Sequence, residues 1–202
     1  TRTDGKQTNA KHAVYDIKSV KTQEGSTMLI ANDGTLIMAG KGVMHLNKSG
    51  NGYVAENQSS ISTIVADNVL TSAADSYRYT LIKEDGTLYG WGQSGQPFHF
   101  SSDWKSNIYA NKIMNNVASA WFVKNSLCVL TPNGDLYIEN TNSDDKTQEN
   151  FLQKRFSNVK SYTASSEVFI TYAYIDSNDD LYTWGYNAYG LIGNGSKENS
   201  DT

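Results

Sequence analysis

The chain has 202 residues, 38% hydrophobic and 19% charged, with a formal net charge of -4 and a pI near 5.3. That length supports one domain with a real core, and no apolar run approaches the roughly 20 residues of a membrane-spanning helix, so insertion into a membrane is not expected. The acidic balance, with only Arg2, Arg78 and Arg155 as arginines, argues against a nucleic-acid binder, which needs a basic face and phosphate forks.

The chain opens at Thr1 with neither a methionine nor a signal peptide, so it is read as processed or excised. Abundant Asn, Ser, Thr and Gly, 13 tyrosines and a single cysteine suit a secreted or cell-surface bacterial protein. Four hairpin segments then follow one another. The first is Met28 to Ile37, reading MLIANDGTLI; the second is Leu81 to Tyr89, LIKEDGTLY; the third is Val129 to Tyr137, VLTPNGDLY; the fourth is Ile175 to Tyr182, IDSNDDLY. In each, strand-forming residues flank a polar turn whose Asp, Asn or Gly tolerates left-handed backbone. The shared leucines are Leu36, Leu88, Leu136 and Leu181, spaced 88−36=52, 136−88=48 and 181−136=45.

A second landmark precedes each hairpin: Ser19-Val20, Asn68-Val69, Asn116-Val117 and Asn158-Val159. The inner segments Thr71-Ser72-Ala73-Ala74 and Ala118-Ser119-Ala120 are poor in bulky groups, which suits strands crowded around an axis. Helical periodicity is not found. Units of 45 to 52 residues, each a short strand, a hairpin and an outer strand, describe an all-β propeller better than a sandwich. The whole chain, 1–202, is therefore read as one propeller domain or arc, with repeats over 14–55, 64–110, 112–150 and 154–202.

The fourth unit continues Trp184-Gly185-Tyr186-Asn187-Ala188-Tyr189-Gly190-Leu191-Ile192-Gly193-Asn194-Gly195. Together with the valine-led strand and the D-G-x-L-Y hairpin, this resembles the repeat of the regulator-of-chromosome-condensation family, W-G-x-N-x-x-G-Q-L-G-x-G. Leu191 stands where that family usually has Gln, and Ile192 is a conservative change. The second unit keeps Trp91-Gly92 and then shortens; the first has Ala39-Gly40 and the third Glu139-Asn140 in that place. No unit carries the histidine that family repeats often place before the hairpin. The resemblance implies a bacterial-type member or a fragment of one, with a propeller of usually seven blades. Four repeats make a partial ring, and both ends of the chain fall at the same phase of the repeat. Further blades are expected on the same parent or a partner chain, with a compact four-bladed ring as the rival. Exposed blade edges would then permit self-association.

Framework explains most of the tempting residues. Trp184 and Gly185 read as inter-blade packing and a left-handed turn, and the glycines after them have no strand-to-helix context for a phosphate loop. Asp176 to Asp180 begins like a calcium loop, but Leu181 and Asn187 stand where such a loop needs Gly and Glu, so turn chemistry is preferred. His12, His45 and His99 lack spaced ligand partners, and neither Asp144-Asp145 nor Asp179-Asp180 selects a catalytic carboxylate pair. Cys128, in the apolar run Leu127 to Leu130, reads as a buried structural thiol. No cofactor and no metal is expected.

One stretch has no place in the repeat. After Trp91-Gly92 come Phe98, His99, Phe100, Trp104 and Tyr109, and large aromatics in a loop that no pattern demands are the usual anchors of an interface, or else a local cap on the blade. Trp121, Tyr186 and Tyr189 are added as weaker binding candidates, with packing the favoured role for each. The expected function is a non-catalytic scaffold that binds another protein through blade loops. The alternative is a carbohydrate or cell-wall binding module using tyrosines and Trp104 as stacking platforms. A hydrolase is less supported, and guanine-nucleotide exchange, the family's namesake role, fits this charge poorly.

Overall fold

The computed structural model describes residues 16–23, 25–40, 43–46, 53–56, 59–75, 78–92, 110–123, 126–140, 151–165 and 170–200. These form strands joined by tight turns, and no helix among them is long and apolar enough to cross a membrane. The first sheet contains β1 (Ile17–Gln23), β2 (Ser26–Ala31) and β3 (Leu36–Gly40). A two-stranded ribbon of β4 (Val43–Leu46) and β5 (Tyr53–Glu56) follows, and β6 (Ser59–Ala66) returns to the outer edge of the first sheet. The second sheet runs β7 (Val69–Ala74), β8 (Arg78–Lys83), β9 (Leu88–Gly92) and β10 (Asn111–Met114). The third is β11 (Ser119–Val123), β12 (Ser126–Leu130), β13 (Leu136–Glu139) and β14 (Leu152–Phe156). The fourth is β15 (Val159–Ala164), β16 (Thr171–Asp176) and β17 (Leu181–Gly185). Each sheet is an antiparallel meander of inner strand, hairpin and outer strand, the fourth with three strands among the described residues. The outer strand β14 bridges the interval between the repeat segments 112–150 and 154–202, and most of β6 falls between 14–55 and 64–110.

The hairpins form where turn chemistry places them. The Asp33 carboxylate accepts the Thr35 N–H at 2.9 Å, and Asp85 accepts that of Thr87 at 2.8 Å; the threonine hydroxyls first, and these N–H groups with them, hold both carboxyls below their usual range. Asp176 accepts the N–H groups of Asn178 at 2.8 Å and Asp180 at 3.0 Å, so its carboxylate is used to close the turn. The left-handed residue is Gly34, Gly86 or Gly134 in three hairpins and Asp179, at φ 68, in the fourth.

Successive repeats are joined at this turn. The Val69 N–H donates to the Gly34 carbonyl at 2.8 Å, and the Val159 N–H donates to the Gly134 carbonyl at the same distance. Glu84 and Ser177 donate back to the carbonyls of Asn68 and Asn158. Asn68, Asn116 and Asn158 all have positive φ, a conformation asparagine adopts more readily than other side-chain-bearing residues.

The same geometry corrects the landmark of the first repeat. Val69 pairs with Lys83 and Val159 with Asp176, each followed by a register shift; in β1 the residue that does this is Ile17, paired with Ala31. The Asp16 carbonyl accordingly accepts the Asn32 N–H at 2.8 Å. Val20 is three residues further on and 60% exposed, whereas Val69 is fully buried. With Ile17 the distances to the shared leucines become 36−17=19, 88−69=19, 136−117=19 and 181−159=22. Hydrophobicity alone cannot distinguish two apolar residues three apart in one strand. The register shift does.

The chain divides into two compact units, 1–115 and 116–202. In the first, Met28, Ile30, Leu36 and Met38 of the first sheet form one cluster with Ala66, Val69, Tyr79, Leu81 and Trp91. Period-2 alternation puts Met28, Ile30, Leu36 and Met38 on one face. Tyr79, Leu81, Tyr89 and Trp91 share a face of the second sheet, with Tyr79 and Trp91 stacked at 5.5 Å between ring centroids. In the second unit Cys128 and Leu136 cluster with Val159 and Tyr162, and Leu130, Ile138, Tyr172, Tyr174 and Trp184 pack around them. Burial in this cluster pushes the Cys128 thiol up to about 12, with Glu139 adding to the effect.

Two outcomes are expected. Gly134 has φ +84, and a Cβ there would lie 3.2 Å from the Asn158 Cα and the Val159 nitrogen, so Gly134→Ala should lower unfolding free energy by about 1–3 kcal/mol in a denaturant titration. Cys128 should resist thiol reagents in the native state and react fully once the chain is unfolded. Because its folded pKa is raised above the ordinary 9.0, it contributes stability that falls as pH climbs from there toward 12. Cys128→Ala should flatten that part of the pH–stability curve.

Candidate functional site

The strongest built surface feature is the loop that leaves the fourth sheet after Trp184. Its root is fixed by aromatic packing: Trp184 stacks on Tyr172 at 5.3 Å and tilts against Phe156 at 5.4 Å. Gly185 then turns the chain with φ +112, and a Cβ there would sit 2.4 Å from the Ile170 carbonyl oxygen, so only glycine fits. The Tyr186 N–H donates to that same carbonyl at 2.8 Å. The loop closes where Gly185 and Ser200 exchange backbone hydrogen bonds of 2.8 and 3.1 Å.

Asn187 is the centre of this loop and is completely buried. Its side-chain amide donates to the carbonyls of Ser196 and Glu198, both at 3.0 Å, and its Oδ1 accepts the Ile192 N–H at 3.0 Å. Its own N–H donates to Asn199 Oδ1 at 2.8 Å. One side chain thus ties together both sides of the loop. Ile192 points inward, and its carbonyl accepts the Thr183 hydroxyl at 2.7 Å. What remains outward is Tyr189, 71% exposed, with Leu191 also exposed and the Tyr186 ring 6.2 Å from that of Tyr189. The chemistry on offer is contact chemistry, a flat aromatic and an aliphatic side chain held on a cross-tied loop.

The other candidates fall differently. Trp121, on β11 opposite Cys128, packs against the buried cluster of its unit with its ring 6.3 Å from that of Tyr162. It is half-buried there, on a strand rather than in a blade loop. Phe98, His99, Phe100, Trp104 and Tyr109 lie outside the described residues, as do His12, Asp144 and Asp145. Among the described residues no group of three or more His, Cys, Asp and Glu side chains is placed to hold a metal ion. Sequence reasoning missed Asn187 as the loop's organiser. The available signal was the Asn of the W-G-x-N run, a polar residue flanked by tyrosine and alanine in a segment rich in glycine.

Meandering four-stranded sheets, repeated with their hairpin turns in register, are blades, and the fold is that of a β-propeller of the regulator-of-chromosome-condensation type. Prp20p of Saccharomyces cerevisiae, in a structure described with its binding properties to Gsp1p and histones, superposes with a TM-score of 0.62 at 16% identity, over 96% of this chain and 51% of its own. Yeast RCC1 (Prp20), in a complex with Kap60, gives 0.61 at 13% identity, covering 95% and 49%. Human WBSCR16 gives 0.61 at 16% identity, covering 91% and 51%. The chain thus spans about half the length of these structures, and at such identities the likeness is one of fold. No protein-family model and no curated protein sequence matches the chain.

Asn187→Ala should cost about 2–4 kcal/mol, because it strands the buried Ile192 N–H and unties the Ser196 and Glu198 carbonyls from the centre of the loop. Measured by denaturant titration, the loss should be accompanied by faster proteolysis of residues 186–199.

Proposed function

We propose that this chain is a non-catalytic binding scaffold that engages another protein through the loops of its blades. The observation that carries the reading is the loop of residues 186–199, cross-tied by a buried asparagine and yet presenting Tyr189 and Leu191 to solvent. A rigid loop loses little conformational entropy on binding, and exposed aromatics on such loops are favoured anchors. The fold neighbour Prp20 is described bound to Kap60, which supports protein contact as a use of this architecture. Composition supports a place of action outside a bacterial cell, secreted or at its surface. Self-association through open blades is part of the same reading.

A second reading, recognition of a carbohydrate or cell-wall polymer, draws on the same exposed ring, since tyrosine faces stack on sugars as readily as on side chains. The two are separated by one set of variants. Capture of a defined partner by cross-linking and mass spectrometry should be lost in Tyr189→Ala and Leu191→Ala, with the fold unchanged by circular dichroism and a glycan array blank for the wild type. Array binding that Trp104→Ala or Tyr189→Ala abolishes would instead establish the sugar reading. Capture unchanged in all these variants would remove the loop from the function.

A further inference from the structure

Asparagine followed by glycine is a pair at which a chain can modify itself, because glycine has no Cβ to hinder attack on the side chain before it. The glycine nitrogen adds to the asparagine Cγ, the bond from Cγ to Nδ2 breaks, and ammonia leaves with the proton that the glycine nitrogen gives up. Water then opens the cyclic imide at either carbonyl. The product is aspartate, or an isoaspartate whose side-chain methylene has entered the main chain. The sequence holds this pair at Asn51-Gly52, Asn133-Gly134 and Asn194-Gly195. The first lies outside the described residues, and the asparagines of the other two are both exposed, so accessibility does not separate them. Backbone restraint does.

At Asn133 every participant is held. The Gly134 N–H donates to the Thr131 carbonyl at 3.0 Å, Asn133 Oδ1 accepts the Thr131 hydroxyl, and Asn133 Nδ2 donates to Asp135 at 3.3 Å. Gly134 is also the joint to the next repeat, with its carbonyl bonded to the Val159 N–H and the Asn158 Cα close above it. Cyclisation swings the peptide between asparagine and glycine, which here breaks the turn and the joint together.

At Asn194 the nucleophile is loose. Among the described residues the Gly195 N–H has no hydrogen-bond partner, and a Cβ on Gly195 would meet nothing within 4 Å. The group under attack is held ready instead: Asn194 Oδ1 accepts the Ser196 N–H at 3.0 Å and the buried Asn187 Nδ2 at 3.3 Å. Two donors on that oxygen stabilise the negative charge that forms when nitrogen adds to Cγ, as donors do in acyl-transfer sites.

We propose that Asn194 is a self-modifying site, which converts through the cyclic imide to aspartate and isoaspartate and so releases the loop, while Asn133 in the folded chain is protected. Isoaspartate lengthens the main chain between Ile192 and Ser196, and both are tied to the side chain of Asn187. Those ties cannot all survive the added methylene.

Peptide mapping by mass spectrometry, on the whole chain aged in mildly alkaline buffer with and without denaturant, tests this. Folding should slow conversion of Asn133 about tenfold or more and leave Asn194 within about twofold of its unfolded rate. Proteolysis of residues 186–199 should quicken as wild type ages and stay constant in Asn194→Gln, whose larger ring closes far more slowly. Equal slowing of the two sites by folding overturns the proposal. So does a loop cut at the same rate before and after Asn194 has converted.

Discussion

The rest of the structure depends on the short backbone hydrogen bond from the valine that opens one repeat to the carbonyl in the hairpin turn of the repeat before it. It is seen at Val69 on Gly34 and at Val159 on Gly134, each at 2.8 Å. Two left-handed residues meet there, the turn glycine and the asparagine just before the valine. The glycine has no Cβ to keep the asparagine away, and the asparagine pays least of the side-chain-bearing residues for its conformation. A turn that serves its own hairpin therefore also sets the position and phase of the next sheet. The register shift directly after the valine turns the inner strand so that its alternate side chains meet the preceding leucine face.

Once phase is fixed, packing follows from period-2 alternation. In the first and third sheets the leucine position falls on the face toward the following sheet, which is why Leu36 and Leu136 are fully buried. The opposite face carries the large rings. In the second sheet these are Tyr79 and Trp91, and Tyr79 also exchanges a 2.6 Å hydrogen bond with the buried Ser26 hydroxyl of the first sheet. In the fourth sheet the rings extend further, with Tyr174 stacked on Tyr182 at 4.5 Å and Phe156 of the third sheet 4.9 Å from Tyr174. Aromatic area here substitutes for aliphatic bulk, and burial keeps the Tyr162 phenol protonated well above its ordinary range.

Turn chemistry and alternation are local, and that part of the fold could be read from the residues. Asp33-Gly34, Asp85-Gly86 and Asn133-Gly134 announce hairpins because few other dipeptides suit that backbone, and the leucines after them mark the buried face. The first inner strand was misphased because the first repeat has Asp16-Ile17 where the others have Asn-Val, and Val20 nearby looked equivalent. The outer strand Leu152–Phe156 was hard to see because LQKRF has no clean alternation and gains its place only by pairing with β13. Asn187 was harder still. Its partners lie at 192, 196, 198 and 199, and a side-chain knot of that kind leaves no periodic trace. Trp121 shows the opposite limit: a large ring reads the same whether it anchors a partner or, as here, packs toward Tyr162.

The fourth repeat concentrates the departures from this scheme, and they are physically linked. Its turn has Asp179 in the left-handed place, three extra residues separate its valine from its leucine, and its leucine is exposed. A glycine at that turn serves twice, for the left-handed backbone and, at Gly34 and Gly134, for the close approach of the next repeat's asparagine. At the fourth turn the left-handed place is taken by Asp179, which forms an ion pair with Lys160 of the inner strand. The exposed Leu181 shows that the hairpin's apolar face was nevertheless retained. Leu181 opposes Ile175 as Leu36 opposes Ile30, so period-2 alternation keeps the apolar face whatever residue occupies the turn.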